Sequence, residues 1–219
     1  MALHNGVRRG IARSWLVLLI TAVFFGYGWF YAHPEALGTM FGGSASVAAS
    51  DQTVTNWKTF NSKKLGISIL YPQEYSVDDS YVYTELGPRN GIGGVKFTVP
   101  ASKTEGTNLS HSDTGVSIEV LPSSVSCLDT AFVEAKLASS SVTENGTTYS
   151  IASTAGAGAG NFYEETVYVI AGSVPCTAIR YFIHSTNIHN YEPGTIREFD
   201  KKALIKEFDK IRRSLLIIR

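Results

Sequence analysis

Apolar and polar residues alternate in several short segments beyond residue 57. Such alternation predicts β-strands with one face on a core and a wetter opposite face. The clearest alternation lies at 65–71, 95–99, 116–120 and 179–184. Weaker strand candidates, rich in Tyr, Val and Thr, lie at 81–86, 148–153 and 162–171. The run AGAGAG at 155–160 predicts a hairpin connection, and 215–218 predicts a closing strand.

Apolar residues recur every three to five positions in two other segments, 127–138 and 197–214, which predicts two helices. We expect the second helix to begin at a capping box formed by Thr195 and Glu198. Strands that cluster, with helices to cover them, predict an α+β fold: an antiparallel sheet flanked by helices.

An apolar run of 18 residues without a charged side chain, at 15–32, precedes this region. As a helix it would be about 27 Å long, close to the ~30 Å hydrocarbon core of a bilayer. Three arginines lie before the run and none directly after it, which predicts a cytoplasmic N-terminus. The sequence therefore predicts one N-terminal transmembrane helix, with a cleaved signal peptide as the alternative.

The domain organisation follows from that span. We expect a cytoplasmic tail at 1–14, the transmembrane anchor at 15–32, a linker of small and polar residues at 33–56, and an extracytoplasmic α+β domain at 57–219. The predicted location is the cell membrane, crossed once, with the domain outside the cytoplasm.

The 19 basic and 19 acidic side chains give a net charge of zero. This balance argues against a protein held on nucleic acid by bulk electrostatics. The zero is a sum of unlike parts: +3 over 1–14, −2 over 15–56, −4 over 57–191 and +3 over 192–219. The expected partners are the lipid bilayer, through residues 15–32, and an envelope protein or a small polar ligand.

The two cysteines, Cys127 and Cys176, are expected to form a disulfide, because thiols outside the cytoplasm usually pair. Free buried thiols and a redox pair are the alternatives. A redox pair would normally use closely spaced cysteines, and these two lie far apart in the sequence.

The domain opens with Trp57-Lys58-Thr59-Phe60 and, after a short turn, a segment ending in Tyr71-Pro72. This opening resembles that of PsbP-like domains, and residues 208–215 are similar to that family's last helix running into its last strand. The resemblance implies an antiparallel sheet flanked by helices, used outside the cytoplasm as an accessory or binding module. The family has no shared catalytic residue to carry over.

The long polar connection 184–200 is the predicted functional segment, because connections of this length are often functional. We expect it to form a pocket for a polar or acidic ligand together with the end of the preceding strand. The candidate ligand-binding residues are Arg180, His184, Asn187, His189, Tyr191 and Glu192. The alternative is an ordered loop whose polar groups satisfy one another.

No cofactor or metal ion is predicted. His184 and His189 are five residues apart and outside any predicted helix, which fits no zinc motif. The motifs of serine hydrolases and zinc proteases are missing from the sequence.

The sequence therefore favours a membrane-anchored extracytoplasmic binding or accessory module of the cell envelope over an enzyme. One alternative is an envelope hydrolase with His184 or His189 as general base, oriented by Glu192 or Asp200. Another is an envelope sensor that signals through the anchor to a partner protein.

Overall fold

The computed structural model describes residues 56–86, 91–122, 127, 131–133 and 139–218. The predicted tail, the predicted anchor and all but the last residue of the predicted linker lie outside this part of the chain. Among the residues described, no helix is both long enough and apolar enough to cross a membrane.

Within these ranges the chain forms strands and a single α-helix, α1, at Lys201–Arg213. The strands are β1 Trp57–Ser62, β2 Ile67–Pro72, β3 Ser76–Asp78, β4 Val82–Tyr83, β5 Ile92–Thr98, β6 Gly115–Leu121, β7 Ser139–Glu144, β8 Thr147–Gly158, β9 Asn161–Ile170, β10 Cys176–Thr186 and β11 Leu216–Ile217. Each of the segments predicted as strands overlaps at least one of them.

Two antiparallel sheets result from the pairing of these strands. The small sheet has the order β1-β2-β11, so it joins the first and last strands of the described chain. The large sheet has the order β3-β5-β6-β10-β9-β8-β7, and β4 pairs with the start of β5. The fold is thus mainly antiparallel sheet with one helix, and the antiparallel sheet of the predicted fold class is confirmed.

Strand β10 lies in the middle of the large sheet and is buried on both of its faces. Ile179, Tyr181 and Ile183 belong to the core beneath α1. Cys176 and Ala178, on the opposite face, belong to a second core. The prediction of a wetter face is wrong for this strand, because the second core covers that face as well.

Helix α1 packs three buried side chains, Leu204, Phe208 and Ile211, onto the first core. The buried side chain of Arg212 holds the helix to neighbouring strands. Its Nε donates to the Tyr181 hydroxyl at 2.9 Å, and its Nη2 donates to Glu144 at 2.9 Å.

The predicted start of this helix is wrong. Its N-cap is Asp200, whose side chain accepts a hydrogen bond from the Ala203 amide. The preceding backbone is committed to a neighbouring segment: the Arg197 amide donates to the Gly106 carbonyl, and the Arg197 carbonyl accepts from the Asn108 amide. These contacts hold residue 197 out of the helix, so the Thr195–Glu198 box does not cap it.

The other predicted helix, 127–138, lies mostly outside the described residues. The predicted disulfide between Cys127 and Cys176 is confirmed, with a Cα–Cα distance of 5.0 Å.

The run 155–160 was predicted as a hairpin connection, and the hairpin turn lies in it, but most of the run is strand. Strand β8 continues through Gly158 and pairs with β9 up to the register Gly158↔Asn161. The connection is only Ala159 and Gly160, with φ of 49° and 80°. A two-residue turn with positive φ at both positions matches the twist of the flanking strands, so no longer loop is needed.

Candidate functional site

The strand register places three charged residues on one diagonal of the large sheet. Arg180 of β10 pairs with Ser117 of β6. Since side chains alternate along a strand, Glu119, two residues further on, faces the same side as Arg180. Glu165 of β9 pairs with Phe182, two residues beyond Arg180, and so faces that side too. The sheet therefore brings one cation between two carboxylates.

Arg180 is fixed between these carboxylates by hydrogen bonds. Its Nε and Nη2 donate to the two oxygens of Glu119, each at 2.7 Å. Its Nη1 donates to Glu165 at 2.5 Å, and Nη2 also donates to the Phe132 carbonyl at 2.8 Å. Glu119 accepts a further bond from the Ser117 hydroxyl at 2.9 Å. Arg180 is 1% exposed and Glu119 is 0% exposed, so this is a buried, well-bonded ion pair.

A tyrosine from β4 covers the guanidinium group. The ring centroid of Tyr83 lies 3.6 Å from the Arg180 Cζ, within cation–π range. Burial raises the pKa of Glu165, although the charge of Arg180 opposes the rise. These contacts make Arg180 part of a rigid floor rather than a mobile surface side chain.

A groove of about 340 Å³ lies above this floor. Residues of β4, β5, β6, β9 and β10 and the segments beside them line it: Tyr81, Val82, Tyr83, Thr84, Glu85, Lys96, Asp113, Gly115, Ser117, Glu165, Arg180 and Phe182. Gly115 has to be a glycine here, because a Cβ at this position would lie 2.2 Å from the Phe97 carbonyl oxygen.

Lys96 and Tyr81 form the polar part of the groove wall. The Lys96 Nζ lies 5.7 Å from the ring centroid of Tyr81 and 5.8 Å from that of Phe182. Burial lowers the pKa of Lys96, against the opposing charges of Asp113 and Asp78. Burial raises the pKa of Tyr81 to about 12, so its hydroxyl is protonated at neutral pH and can donate a hydrogen bond.

His184 lies next to the groove through its bond to Asp113. Its Nδ1 is 2.8 Å and 3.0 Å from the two Asp113 carboxylate oxygens. Its ring packs on Tyr163, with centroids 4.6 Å apart. Its Nε2 is buried and contacts no hydrogen-bond partner within the described ranges. Asp113 therefore sets the ring orientation, the role that the sequence analysis gave to Glu192 or Asp200.

The six predicted site residues do not share one pocket. Arg180 lines the groove, and His184 reaches it through Asp113. The Asn187 side chain accepts from the His189 amide and caps a short 3-10 turn. The side chains of three residues are exposed on the connecting segment: His189, Tyr191 and Glu192. The groove lining above includes none of these last four, and ligand binding at the six stays a prediction.

Four groove residues were not among the predicted site residues: Tyr81, Tyr83, Lys96 and Asp113. The alternation around Lys96 placed it opposite the apolar face, which was the available signal. The strand register that brings these residues together was not predicted. For metal ligation, the part of the chain that the structure describes holds no group of three or more His, Cys, Asp or Glu side chains able to bind an ion.

No family model matches the chain, and no curated protein matches it. Solved structures do. A protein from Bacteroides thetaiotaomicron is 12% identical with a TM-score of 0.43, over 75% of this chain and 50% of its own. This chain thus spans half the length of that protein.

A second similar structure is cyanobacterial PsbP from Synechocystis, 13% identical with a TM-score of 0.40, over 78% of this chain and 97% of its own. A PsbP structure is therefore among the neighbours, as the sequence resemblance predicted. Neither likeness assigns a function or a site residue to this chain.

Proposed function

We propose that the chain is a membrane-anchored extracytoplasmic binding module of the cell envelope, and that the groove above Arg180 holds its ligand. The observation that carries the proposal is the combination of an open groove with a fixed floor. Aromatic rings at Tyr81, Tyr83 and Phe182 line the groove, and the guanidinium group of the buried ion pair packs against Tyr83. Pre-organised apolar walls with a few polar groups are typical of ligand sites.

The charges of the groove restrict the ligand. Two cations, Lys96 and Arg180, lie against three lining carboxylates, with Glu119 buried beneath. An acidic ligand is therefore disfavoured, in contrast to one option of the sequence analysis. The better candidate is a small polar ligand with a ring to stack on tyrosine and no net negative charge.

The disulfide supports the extracytoplasmic part of the proposal. Cys127 and Cys176 are bonded in the structure, and such bonds persist mainly in oxidising compartments. The predicted apolar span at 15–32 supplies the anchor.

A hydrolase is the second candidate, and the Asp113–His184 pair is the observation in its favour. A carboxylate bonded to Nδ1 leaves Nε2 to act as a general base. The buried Nε2 has neither a nucleophile nor a proton donor within reach in the described chain. Binding therefore accounts for more of the groove than hydrolysis does.

A capture experiment tests the groove. The full chain, purified in detergent and bound to beads, is incubated with envelope extract, and retained proteins and small molecules are identified by mass spectrometry. Tyr81→Ala and Lys96→Ala are expected to lose the retained component. Tyr191→Ala and His189→Ala, on the exposed connection, are the matched controls and are expected to keep it.

Thermal unfolding of each variant separates loss of binding from loss of fold. Tyr81→Phe, which keeps the ring, is expected to retain part of the captured material. Equal capture by wild type and Tyr81→Ala would remove the groove as the site, and loss with His189→Ala alone would move the site to the connecting segment.

A further inference from the structure

The small sheet has one buried face and one solvent-exposed face. Ile67 and Ile69 of β2 point into the first core and are almost fully buried. Leu70, the next residue along, points the other way and is 42% exposed. Thr59 of β1 pairs with Leu70 and shares its face. The outer face of this sheet is therefore open to solvent along β2.

The last strand adds two exposed aliphatic side chains to the same face. Leu216 pairs with Ser68, two residues before Leu70, and is 63% exposed. Ile218 follows, bonded through its amide to the Gly66 carbonyl, and is 38% exposed. The three lie along one face of β2 and β11, and contiguous apolar surface of this kind is a candidate for contact with a partner or a membrane.

The apolar surface continues beyond the sheet. Pro175 lies 4.0 Å from the position that a Cβ on Gly66 would occupy. Its neighbour Val174 is 65% exposed, the largest exposure among the large apolar side chains that the structure describes. We call Leu70, Leu216, Ile218 and Val174 the aliphatic face.

The aliphatic face lies beside a stretch of the domain whose charged residues are all basic. Residues 57–72 hold Lys58, Lys63 and Lys64 and no acidic residue, whereas 57–191 as a whole carry −4. All three lysines are exposed. Lys63 and Lys64 lie in the turn between β1 and β2, next to Gly66. Lys58 pairs with Tyr71 and therefore faces the opposite side of the sheet from Leu70. Neither Lys63 nor Lys64 forms an ion pair with another residue of the described chain, so their charge is available to a partner.

Exposed aliphatic side chains bordered by lysines match the surface of an anionic bilayer. Aliphatic groups enter the boundary between headgroups and acyl chains, and lysines stay at the level of the phosphates. A second copy fits less well, because a self-complementary contact would bring two sets of lysines together with no acidic residue on these strands. In addition, β1 follows the predicted linker and anchor directly in the sequence.

We propose that the aliphatic face rests on the headgroup region of a bilayer containing anionic phospholipid. The proposal builds on the membrane anchor of the proposed function and is independent of the groove. The domain would then lie on the membrane with the lysines of the β1–β2 turn toward the lipid, rather than move freely at the end of its linker.

Site-specific fluorescence of the full chain tests this contact. Leu216→Cys is labelled with an environment-sensitive fluorophore, which is selective because both natural cysteines are in the disulfide. Ser141→Cys, exposed on the edge strand β7, is the matched control. Each labelled chain is reconstituted into vesicles of phosphatidylcholine alone or of phosphatidylcholine with phosphatidylglycerol, with nitroxide-labelled lipid as quencher.

In vesicles with phosphatidylglycerol, the label at 216 is expected to shift to shorter wavelength and to be quenched several-fold more strongly than the label at 141. The double variant Lys63→Gln/Lys64→Gln is expected to lose most of this difference. Equal, water-like emission at both positions in these vesicles would overturn the proposal. A blue shift at 216 in detergent that grows with protein concentration would also overturn it, in favour of a second copy.

The two proposals fail in different ways. Flotation with vesicles of phosphatidylcholine alone tests the anchor, whereas the environment of the label at 216 tests the aliphatic face. If the chain floats with vesicles but the label at 216 stays in water, the membrane anchor is supported and the contact of the aliphatic face with lipid is contradicted. Flotation with neither kind of vesicle would overturn both.

Discussion

Two arginines are buried on opposite faces of the large sheet, and their partners differ. Arg180 comes from the central strand and is bonded to Glu119, whose side chain is completely buried. Arg212 comes from α1 and is bonded to Glu144 and Asp209, whose side chains are 29% and 21% exposed. A carboxylate that keeps contact with water can be solvated if its partner is lost, and a buried one cannot. The burial of the partner, more than that of the arginine, therefore decides how much the fold depends on each pair.

The largest effect is expected for Arg180→Met. The substitution leaves Glu119 charged and without its cation in the core, which is expected to destabilise the protein by about 3–5 kcal/mol. Unfolding in urea, followed by circular dichroism, measures the loss. The double variant Arg180→Met/Glu119→Leu is expected to recover much of it. A double variant less stable than Arg180→Met alone would show that Glu119 is not the source of the penalty.

The next effect concerns the disulfide that closes the core on the Arg180 face. Cys127→Ser/Cys176→Ser is expected to reduce the free energy of unfolding by about 2–4 kcal/mol, because the unfolded chain loses a long cross-link. Scanning calorimetry of the variant and of the reduced wild type measures the change. Similar stability before and after reduction would contradict this expectation.

A smaller effect is expected for Arg212→Met. The substitution removes hydrogen bonds to Glu144, Asp209 and Tyr181, but water can reach both carboxylates, so the loss is expected to be about 1–2 kcal/mol. The same urea unfolding gives the value. A loss of stability equal to that of Arg180→Met would show that the burial of the partner carboxylate does not decide how much the fold depends on each arginine.

The smallest effects are expected in the pH dependence of two glutamates, with opposite signs. Hydrogen bonds from Arg213 and Arg212 lower the pKa of Glu144 from its ordinary 4.5, so its stabilisation is present above that pH and is lost as the pH falls. Burial raises the pKa of Glu165 above 4.5, so its ionisation opposes folding as the pH rises past that value.

Carboxyl ¹³C NMR titration is expected to place the Glu144 midpoint below that of Glu165. Between acid and neutral pH, Glu144→Gln is expected to become progressively less stable relative to wild type. Glu165→Gln is expected to change in the opposite direction with pH. Parallel pH profiles for the two variants would show that the two carboxylates have equivalent surroundings.

The strands were predictable because their alternation is a local property of the sequence. The segments 116–120 and 179–184 lie within observed strands, and 95–99 does so except for its last residue, since each has an apolar face on a core. The start of α1 was not predictable in the same way, because it depends on hydrogen bonds between Arg197 and residues near Gly106, far away in the sequence. The local capping pattern at Thr195 contains no information about that long-range contact, so it predicted the wrong start.

The groove could not be predicted from the sequence for a related reason: its residues come together only through long-range contacts. Arg180 was selected as a polar residue on a strand, but its buried role depends on Glu119, 61 residues away. Tyr81, Lys96 and Asp113 come from separate segments that only the register of β5, β6 and β10 brings together. The connection 184–200 was predicted as the site because many of its residues are polar. Closeness in the sequence does not determine whether the side chains converge in the fold.

The order of the small sheet has a consequence for how the chain folds. Strand β2 is paired with β1 on one side and with β11 on the other, and Ser214 is bonded to the Leu70 backbone across 144 positions of sequence. Contacts of such long range form late and slowly. The sheet that begins the domain therefore stays incomplete until β11 has been synthesised, and the exposed edge of β2 during that time is a site where a chaperone or another nascent chain can bind.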